Sequence, residues 1–163
     1  MDTTARTNPP KVNVVDNGYD KAAASRNYGV VLGGITALYL ITVNLITGEV
    51  PTGTRFAKHL LIIPVVWIAI ASYAAKIPSN KVFKKELGFL GRIAAWAAVT
   101  LGLINIGFFA LLGTSFEQFM HEGETFAGAM VNSGFLIFET VVFVMIIGFV
   151  ILQAYKGGGS PED

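Results

Sequence analysis

The sequence predicts an all-α integral membrane protein, a four-helix transmembrane bundle with both its N-terminus and its C-terminus in the cytoplasm. Three observations predict this class. Mean hydropathy is strongly positive, at +0.58, and only 14% of the residues are charged, against about a quarter in an average soluble domain. Four long stretches contain no Lys, Arg, His or Asp, and a single Glu interrupts them. Finally, the basic residues lie mostly on one side of the predicted spans.

The four apolar stretches set the spans, because about 20 apolar residues cross a bilayer as a helix. We predict spans at residues 28–46, 59–77, 89–112 and 126–154. The fourth contains Glu139 near its centre, and the residues around that Glu include no Gly, Pro, Asn or Asp, which favour turns. One continuous helix is therefore favoured over a hairpin. The short connections predict antiparallel packing of sequential spans within one domain over residues 28–155.

The two ends of the chain are polar. Residues 1–27 predict a flexible arm that contains a Pro-Pro pair, and residues 156–163, KGGGSPED, predict a flexible tail. An apolar stretch that starts at residue 28 is too late and too long for an ordinary signal peptide. The absence of cysteine excludes disulfides, thiolate metal sites and thiol nucleophiles. The net charge of +1 carries no information on nucleic acid, and we expect no nucleic-acid partner.

Orientation follows the basic residues, which accumulate in cytoplasmic loops. Ten Lys and Arg residues lie in the N-terminal arm, around the loop between the second and third spans, and in the tail. Only Arg55 and Lys58 lie on the opposite side. We therefore expect both termini in the cytoplasm, a third loop that faces outward, and a bacterial cytoplasmic membrane as the location.

Small residues at helical spacing mark the faces on which transmembrane helices approach one another. Two spans carry such stripes, the first span with three small residues and the third span with four. They are Gly29, Gly33 and Ala37, and Gly91, Ala95, Ala98 and Gly102. We expect both stripes to be helix-packing faces.

Polar side chains within the spans predict an internal cluster, since an amide in lipid needs a hydrogen-bond partner. Counted from the cytoplasmic ends at about 1.5 Å per residue, Glu139, Asn44 and Asn105 fall at similar depth. We expect Glu139 to be hydrogen-bonded to Asn44 and Asn105, with Thr100 nearby. Asn132 lies seven residues before Glu139, on the same face of its helix.

Two interpretations of Glu139 stay open. In the first it is protonated and joins helices by donating a hydrogen bond. In the second it belongs to a proton- or cation-handling site, as intramembrane carboxylates often do. The sequence offers no second acid and no His at the same depth, which weighs against a proton relay. A Glu139→Gln substitution separates the two interpretations.

Both histidines are expected on the outer side. Glu117 and His121 have i, i+4 spacing in the third loop, and with a neighbouring acid they form a candidate divalent-metal site. Haem or chlorophyll ligation by His59 or His121 is a further alternative. The interpretation that we favour is solvated loop residues, so that no metal is expected and the cofactor is left open.

Catalytic motifs are missing from the sequence: it has no phosphate loop, no nucleophile elbow, no HExxH and no paired carboxylates in a span. We therefore expect no enzyme. The function that the sequence favours is a non-catalytic integral subunit or assembly factor, with the bilayer and other membrane subunits as partners. The alternative is a homo-oligomeric proton or cation channel or transporter that uses Glu139. A pigment- or haem-binding protein ranks third.

Overall fold

The computed structural model describes residues 20–75, 82–118 and 124–156, and the regular structure in these ranges is helical. The elements are α1 (Lys21–Thr47), α2 (Thr52–Ala57), a 3₁₀ turn (Lys58–Leu61), α3 (Ile62–Ala74), α4 (Val82–Leu112) and α5 (Phe126–Lys156). Because α2, the 3₁₀ turn and α3 follow one another without a break, they act as one rod, which we call the second span.

Four stretches of this structure are long and apolar enough to cross a membrane. They are Lys21–Thr47, Thr52–Ala74, Lys85–Leu112 and Phe126–Ala154. In the described part of the chain, the predicted all-helical architecture with four membrane-spanning lengths is thus confirmed. It indicates an integral membrane protein.

Three of the four membrane-spanning segments begin earlier than the predicted spans, whereas α5 begins at the predicted residue 126. Helix α1 begins at Lys21 rather than at residue 28, because the Asp20 carboxylate accepts hydrogen bonds from the backbone N–H groups of Ala22 and Ala23 at 2.9 and 3.0 Å. The second span begins at residue 52 and α4 at residue 82, again ahead of the apolar stretch. Hydropathy marks the lipid-facing middle of a helix and not its capped end. The predicted arm up to residue 19 and the tail from residue 157 lie outside the described residues.

The main packing partner of α1 is α4, which is not its neighbour in sequence. Gly29 lies against Trp96, and Gly33 lies against Ala97 and Thr100, so residue numbers rise together and the two helices run parallel. Helix α5 packs on the other side of α4 and antiparallel to it, since Gly102 meets Ile137 and Gly148 meets Leu90. The second span completes the bundle between α1 and α5.

The predicted stripe on the first span lies in the close contact between α1 and α4. A Cβ added at Gly29 would come within 2.5 Å of the Trp96 Cβ, and one at Gly33 within 2.6 Å of the Ala97 carbonyl oxygen. Ala37 is buried farther along the same helix. Only glycine allows two backbones to approach this closely.

The stripe predicted on the third span is divided in the structure. Ala98 is buried and Gly102 contacts α5, but a Cβ at Gly91 would meet open space and Ala95 is exposed. The reason is that α4 packs on two helices at once, so its contact face is split. Helix α1 is met by a different set: Ile93, Trp96, Ala97 and Thr100.

The interior consists of two apolar layers. The first lies toward the end of the bundle at which α1 and α4 begin, which we call the proximal end. It is built around Leu32, Ile62, Val66, Ile93 and Val144. The second lies toward the opposite, distal end and contains Ala37, Leu40, Leu101, Phe108, Phe116 and Leu136. On α5 the boundary between the layers falls at Glu139.

The pair Gly33 and Gly34 tests the packing of α1 on α4. Gly33→Ala should destabilise the protein by about 1–3 kcal/mol, because the new methyl group overlaps Ala97 and Thr100. Gly34→Ala is the matched control, since a Cβ there meets nothing within 4 Å. Equilibrium unfolding in mixed detergent, followed by far-UV circular dichroism, measures both. Equal stability of the two variants would contradict the close contact.

Candidate functional site

Ionisable side chains gather between the two apolar layers, around the ammonium group of Lys58. The Lys58 Nζ atom donates to Glu117 Oε1 and Oε2 at 2.8 and 2.7 Å and to Glu139 Oε2 at 2.8 Å. The Lys58 side chain is only 2% exposed. It therefore joins a loop carboxylate to a carboxylate in the middle of α5.

Local structure brings these groups together. Arg55 lies in the last turn of α2 and Lys58 begins the 3₁₀ turn, so that the two cations lie three residues apart on one side of the rod. Arg55 Nε lies 2.7 Å from Glu117 Oε1, and Arg55 Nη2 donates to the Gln118 carbonyl at 2.8 Å. At 21% exposure, Arg55 is the part of the network nearest the surface.

His59 forms the other end of the network. Its Nε2 atom lies 2.9 Å from Glu139 Oε1. The imidazole stacks on the Phe143 ring, with 3.7 Å between the ring centroids and 11° between the planes. Glu139 and Phe143 are one helical turn apart on the same side of α5. Glu139 therefore contacts the edge of the imidazole, and Phe143 stacks on its plane. Phe138, next to Glu139, points away and is largely exposed.

We define the network as the side chains of Arg55, Lys58, His59, Glu117 and Glu139. When both carboxylates are ionised, the two positive charges of Arg55 and Lys58 balance the two negative charges of Glu117 and Glu139. Such a balance is needed, because a buried charge without a partner is strongly unfavourable. Burial raises the pKa of the Glu117 carboxyl, and the neighbouring Glu139 adds to that effect. Lys58 and Arg55 oppose the shift by stabilising the carboxylate.

The predicted cluster around Glu139 is corrected on this point: its oxygens meet Lys58 and His59, whereas the two asparagines bind the loop. Asn44 Nδ2 donates to the Phe116 carbonyl at 3.1 Å, and the Phe116 N–H donates to Asn105 Oδ1 at 3.2 Å. An ammonium group is a stronger partner for a carboxylate than a neutral amide is.

Depth explains the separation of the asparagines from the network. Asn105 Nδ2 also donates to Ser133 Oγ at 3.0 Å, and Ser133 lies six residues before Glu139. That spacing places the asparagine layer about 9 Å nearer the distal end than Glu139. Of the other predicted members, Thr100 lies against Gly33 and Asn132 is buried on α5.

The candidate metal or cofactor ligands are distributed differently from the expectation. His59 faces Glu139 through Nε2, and Glu117 binds Lys58 and Arg55. His121 lies outside the described residues, so the predicted pairing of Glu117 with His121 stays a prediction. Within the three described ranges, no group of three His, Cys, Asp or Glu side chains has the arrangement of a metal site.

A small pocket of about 10 Å³ adjoins the network. Its lining consists of Leu32, Thr36, Lys58, His59, Ile62 and Thr140. About 10–15 Å³ is the least space that holds one water molecule. The pocket therefore gives His59 and Lys58 a neighbouring volume of water size on the side of the proximal layer.

Sequence reasoning missed Arg55 and Lys58 as members of the site and used them only as the two basic residues of the outward side. A signal was present, because these are the two basic residues that break the charge asymmetry of the chain. Comparison of the chain with protein-family models, with curated proteins and with solved structures gives no match.

Removal of Lys58 tests the energetic role of the network. Lys58→Met removes the cation that both carboxylates share and leaves Glu117 with Arg55 and Glu139 with His59. We expect a loss of stability of about 3–5 kcal/mol, typical of a broken buried pair. Lys85→Met, the same change at an exposed position of α4, should have little effect. Adding Glu139→Gln to Lys58→Met should restore part of the loss, because one unpaired charge is removed. Additive losses in this double-mutant cycle would contradict the coupling.

Proposed function

We propose that the protein conducts or transports protons or a small cation across the membrane, with Glu139 as the central group. One observation carries the proposal. Inside the apolar bundle, Glu139 has a His and a Lys within 2.9 Å, and that Lys connects it to a second acid. Intramembrane ionisable side chains mark proton relays and ion paths in many membrane proteins.

The composition of the network favours this role over helix attachment alone. Well-packed apolar side chains often replace a buried ion pair at no loss of stability. Stability therefore gives little reason to keep five ionisable groups between two apolar layers. The argument from sequence against a relay was the lack of a second acid or His at the depth of Glu139, and Glu117 and His59 supply both.

The hydrogen-bond geometry suits proton movement. Imidazole both accepts and donates protons in proteins, and a single 2.9 Å contact separates His59 Nε2 from Glu139 Oε1. The Lys58 ammonium group keeps the site near charge balance while that proton moves. The described conformation is closed at both ends, by the proximal apolar layer and by the buried residues that follow α4. Transport then requires an opening at each end.

The orientation belongs to the same proposal. By sequence, ten basic residues belong to the N-terminal arm, the region around the connection between the second span and α4, and the tail, and two belong to the start of the second span. This bias favours a cytoplasmic proximal end in a bacterial cytoplasmic membrane. The two exceptions, Arg55 and Lys58, both bind Glu117. Their position therefore has a local electrostatic reason. Protease accessibility of a tag at either terminus tests the orientation.

A non-catalytic subunit or assembly factor is the second candidate. It is favoured because the charges of the network balance within one chain, and because large apolar side chains stay exposed on all four spans. Examples are Leu38, Leu60, Leu103, Leu111, Phe138 and Val150. These faces meet lipid, copies of the chain or other subunits. Native mass spectrometry of the protein from its own membranes separates a homo-oligomer from a complex with other polypeptides.

Glu139→Gln tests the transport proposal directly. The purified protein is reconstituted into liposomes that contain a pH-sensitive dye, and a K⁺ diffusion potential drives proton entry. We expect the initial rate of the variant to fall by about tenfold or more, since the amide cannot carry the proton. Glu49→Gln, the same chemical change at an exposed position, should keep the rate of the unaltered protein.

The outcome separates the two candidates. If both variants show the same flux as empty liposomes, and partner polypeptides co-purify, the subunit interpretation replaces the transport proposal. Proton flux that is present and equal in the Glu139 and Glu49 variants would show that Glu139 is a structural acid. Comparing Na⁺ with choline as the external cation reveals whether a cation accompanies or replaces the proton.

A further inference from the structure

The residues that follow α4 enter the bundle instead of covering its surface. Gly113, with φ of +73°, ends the helix, and Ser115, Phe116 and Glu117 are buried. Gln118 is exposed again. A loop segment that inserts three consecutive residues between helices occupies space that would otherwise be open toward the distal end.

This segment, residues 115–118, lies between Glu139 and the distal end. Asn105 connects the Phe116 N–H to Ser133, and Ser133 lies about 9 Å nearer the distal end than Glu139 along α5. The Phe116 ring fills the distal apolar layer, edge-to-face with Phe108. Among the described residues, the segment therefore fills bundle interior between Glu139 and the distal end.

Three spans hold the segment directly, and α5 holds it through Lys58. Asn44 of α1 and Asn105 of α4 bind the Phe116 peptide group. The second span binds Glu117 through Arg55 and Lys58. Apart from the Phe116 ring, these contacts are polar, so water can replace them when the segment leaves. This is a property of a part that opens, whereas a permanent core is held by apolar packing.

We propose that residues 115–118 form a lid that closes the Glu139 network to the distal aqueous phase, and that Lys58 is its latch. Lys58 has this role because its ammonium group bonds both Glu117 of the lid and Glu139 of α5. Gly113 provides the hinge, since its positive φ is a conformation that glycine adopts without strain. The importance of the lid for transport rests on the proposed function, but its opening is measurable without any flux.

Cysteine accessibility tests the lid, and the chain contains no cysteine of its own. Ser115→Cys is the reporter, because the Ser115 Oγ is buried and has no hydrogen-bond partner among the described residues. Gln118→Cys, three residues away and exposed, is the matched control. Both variants are reconstituted into liposomes and treated with a membrane-impermeant maleimide. The fraction of molecules that Gln118→Cys labels defines the accessible population, and the labelling rates of both variants are calculated for that population.

We expect Ser115→Cys to react slowly but measurably, about tenfold or more slower than Gln118→Cys, because reaction requires local opening. Adding Lys58→Met should raise the Ser115→Cys rate by about fivefold or more, since the latch is lost. Asn44→Ala, which removes one bond to the lid backbone and no charge, should raise it by a smaller factor. Lys85→Met should leave the rate unchanged. Asn44→Ala also serves if Lys58→Met does not fold.

Three results would overturn the proposal. Equal rates for the two reporters mean that the segment does not close the site. No reaction at Ser115→Cys, even with Lys58→Met or Asn44→Ala, means that the segment is a permanent part of the core. A measurable rate that neither substitution changes means that these contacts do not hold a lid. None of these results depends on proton flux, so failure of the lid and failure of the transport proposal are distinguishable.

Discussion

The ammonium group of Lys58, shared between Glu117 and Glu139, is the interaction on which the rest of the structure depends. It lies between two apolar layers, and the Lys58 side chain is only 2% exposed. Each of the three side chains is tolerated there because the others are present. The shared ammonium fixes the start of the second span, the loop after α4 and the middle of α5 relative to one another. A change at any of the three groups is therefore felt at the other two.

The helices differ in the kind of contact that joins them. Helices α1 and α4 approach through Gly29 and Gly33, a contact that is short-range and rigid. The second span adds polar bonds to its apolar face: Tyr28 donates to Ser72 Oγ, and Tyr39 donates to the Thr54 carbonyl. It also carries the cations of the network. Polar bonds exchange partners more easily than interlocked backbones separate, so the second span and the loop are the parts of the bundle best suited to rearrange.

The fold was predictable because four apolar stretches leave little choice in a bilayer, where a backbone must satisfy its own hydrogen bonds. Helix ends were not, since they follow caps such as Asp20 that hydropathy does not detect. The buried position of Glu139 was expected, but its partners were not. Lys58 and Glu117 belong to segments that hydropathy assigns to water, and an inserted loop leaves no periodic pattern. The estimate of depth placed Asn105 at a depth similar to that of Glu139, although about 1.7 helical turns separate the two layers.

The asparagine layer and the network lie at different depths, and this separation affects how the site can work. The asparagine layer runs from the Phe116 peptide group through Asn105 to Ser133, whose hydroxyl donates to the Ala129 carbonyl at 2.8 Å. None of these groups titrates, so the bonds of the layer do not depend on the protonation state of the network. Under the proposed function, movement of a proton on the network acts on Lys58 and Glu117 while the bonds of this layer stay in place. The proposed proton movement and loop opening therefore need no separation of α1, α4 and α5, which stay joined through Gly29, Gly33 and Gly102.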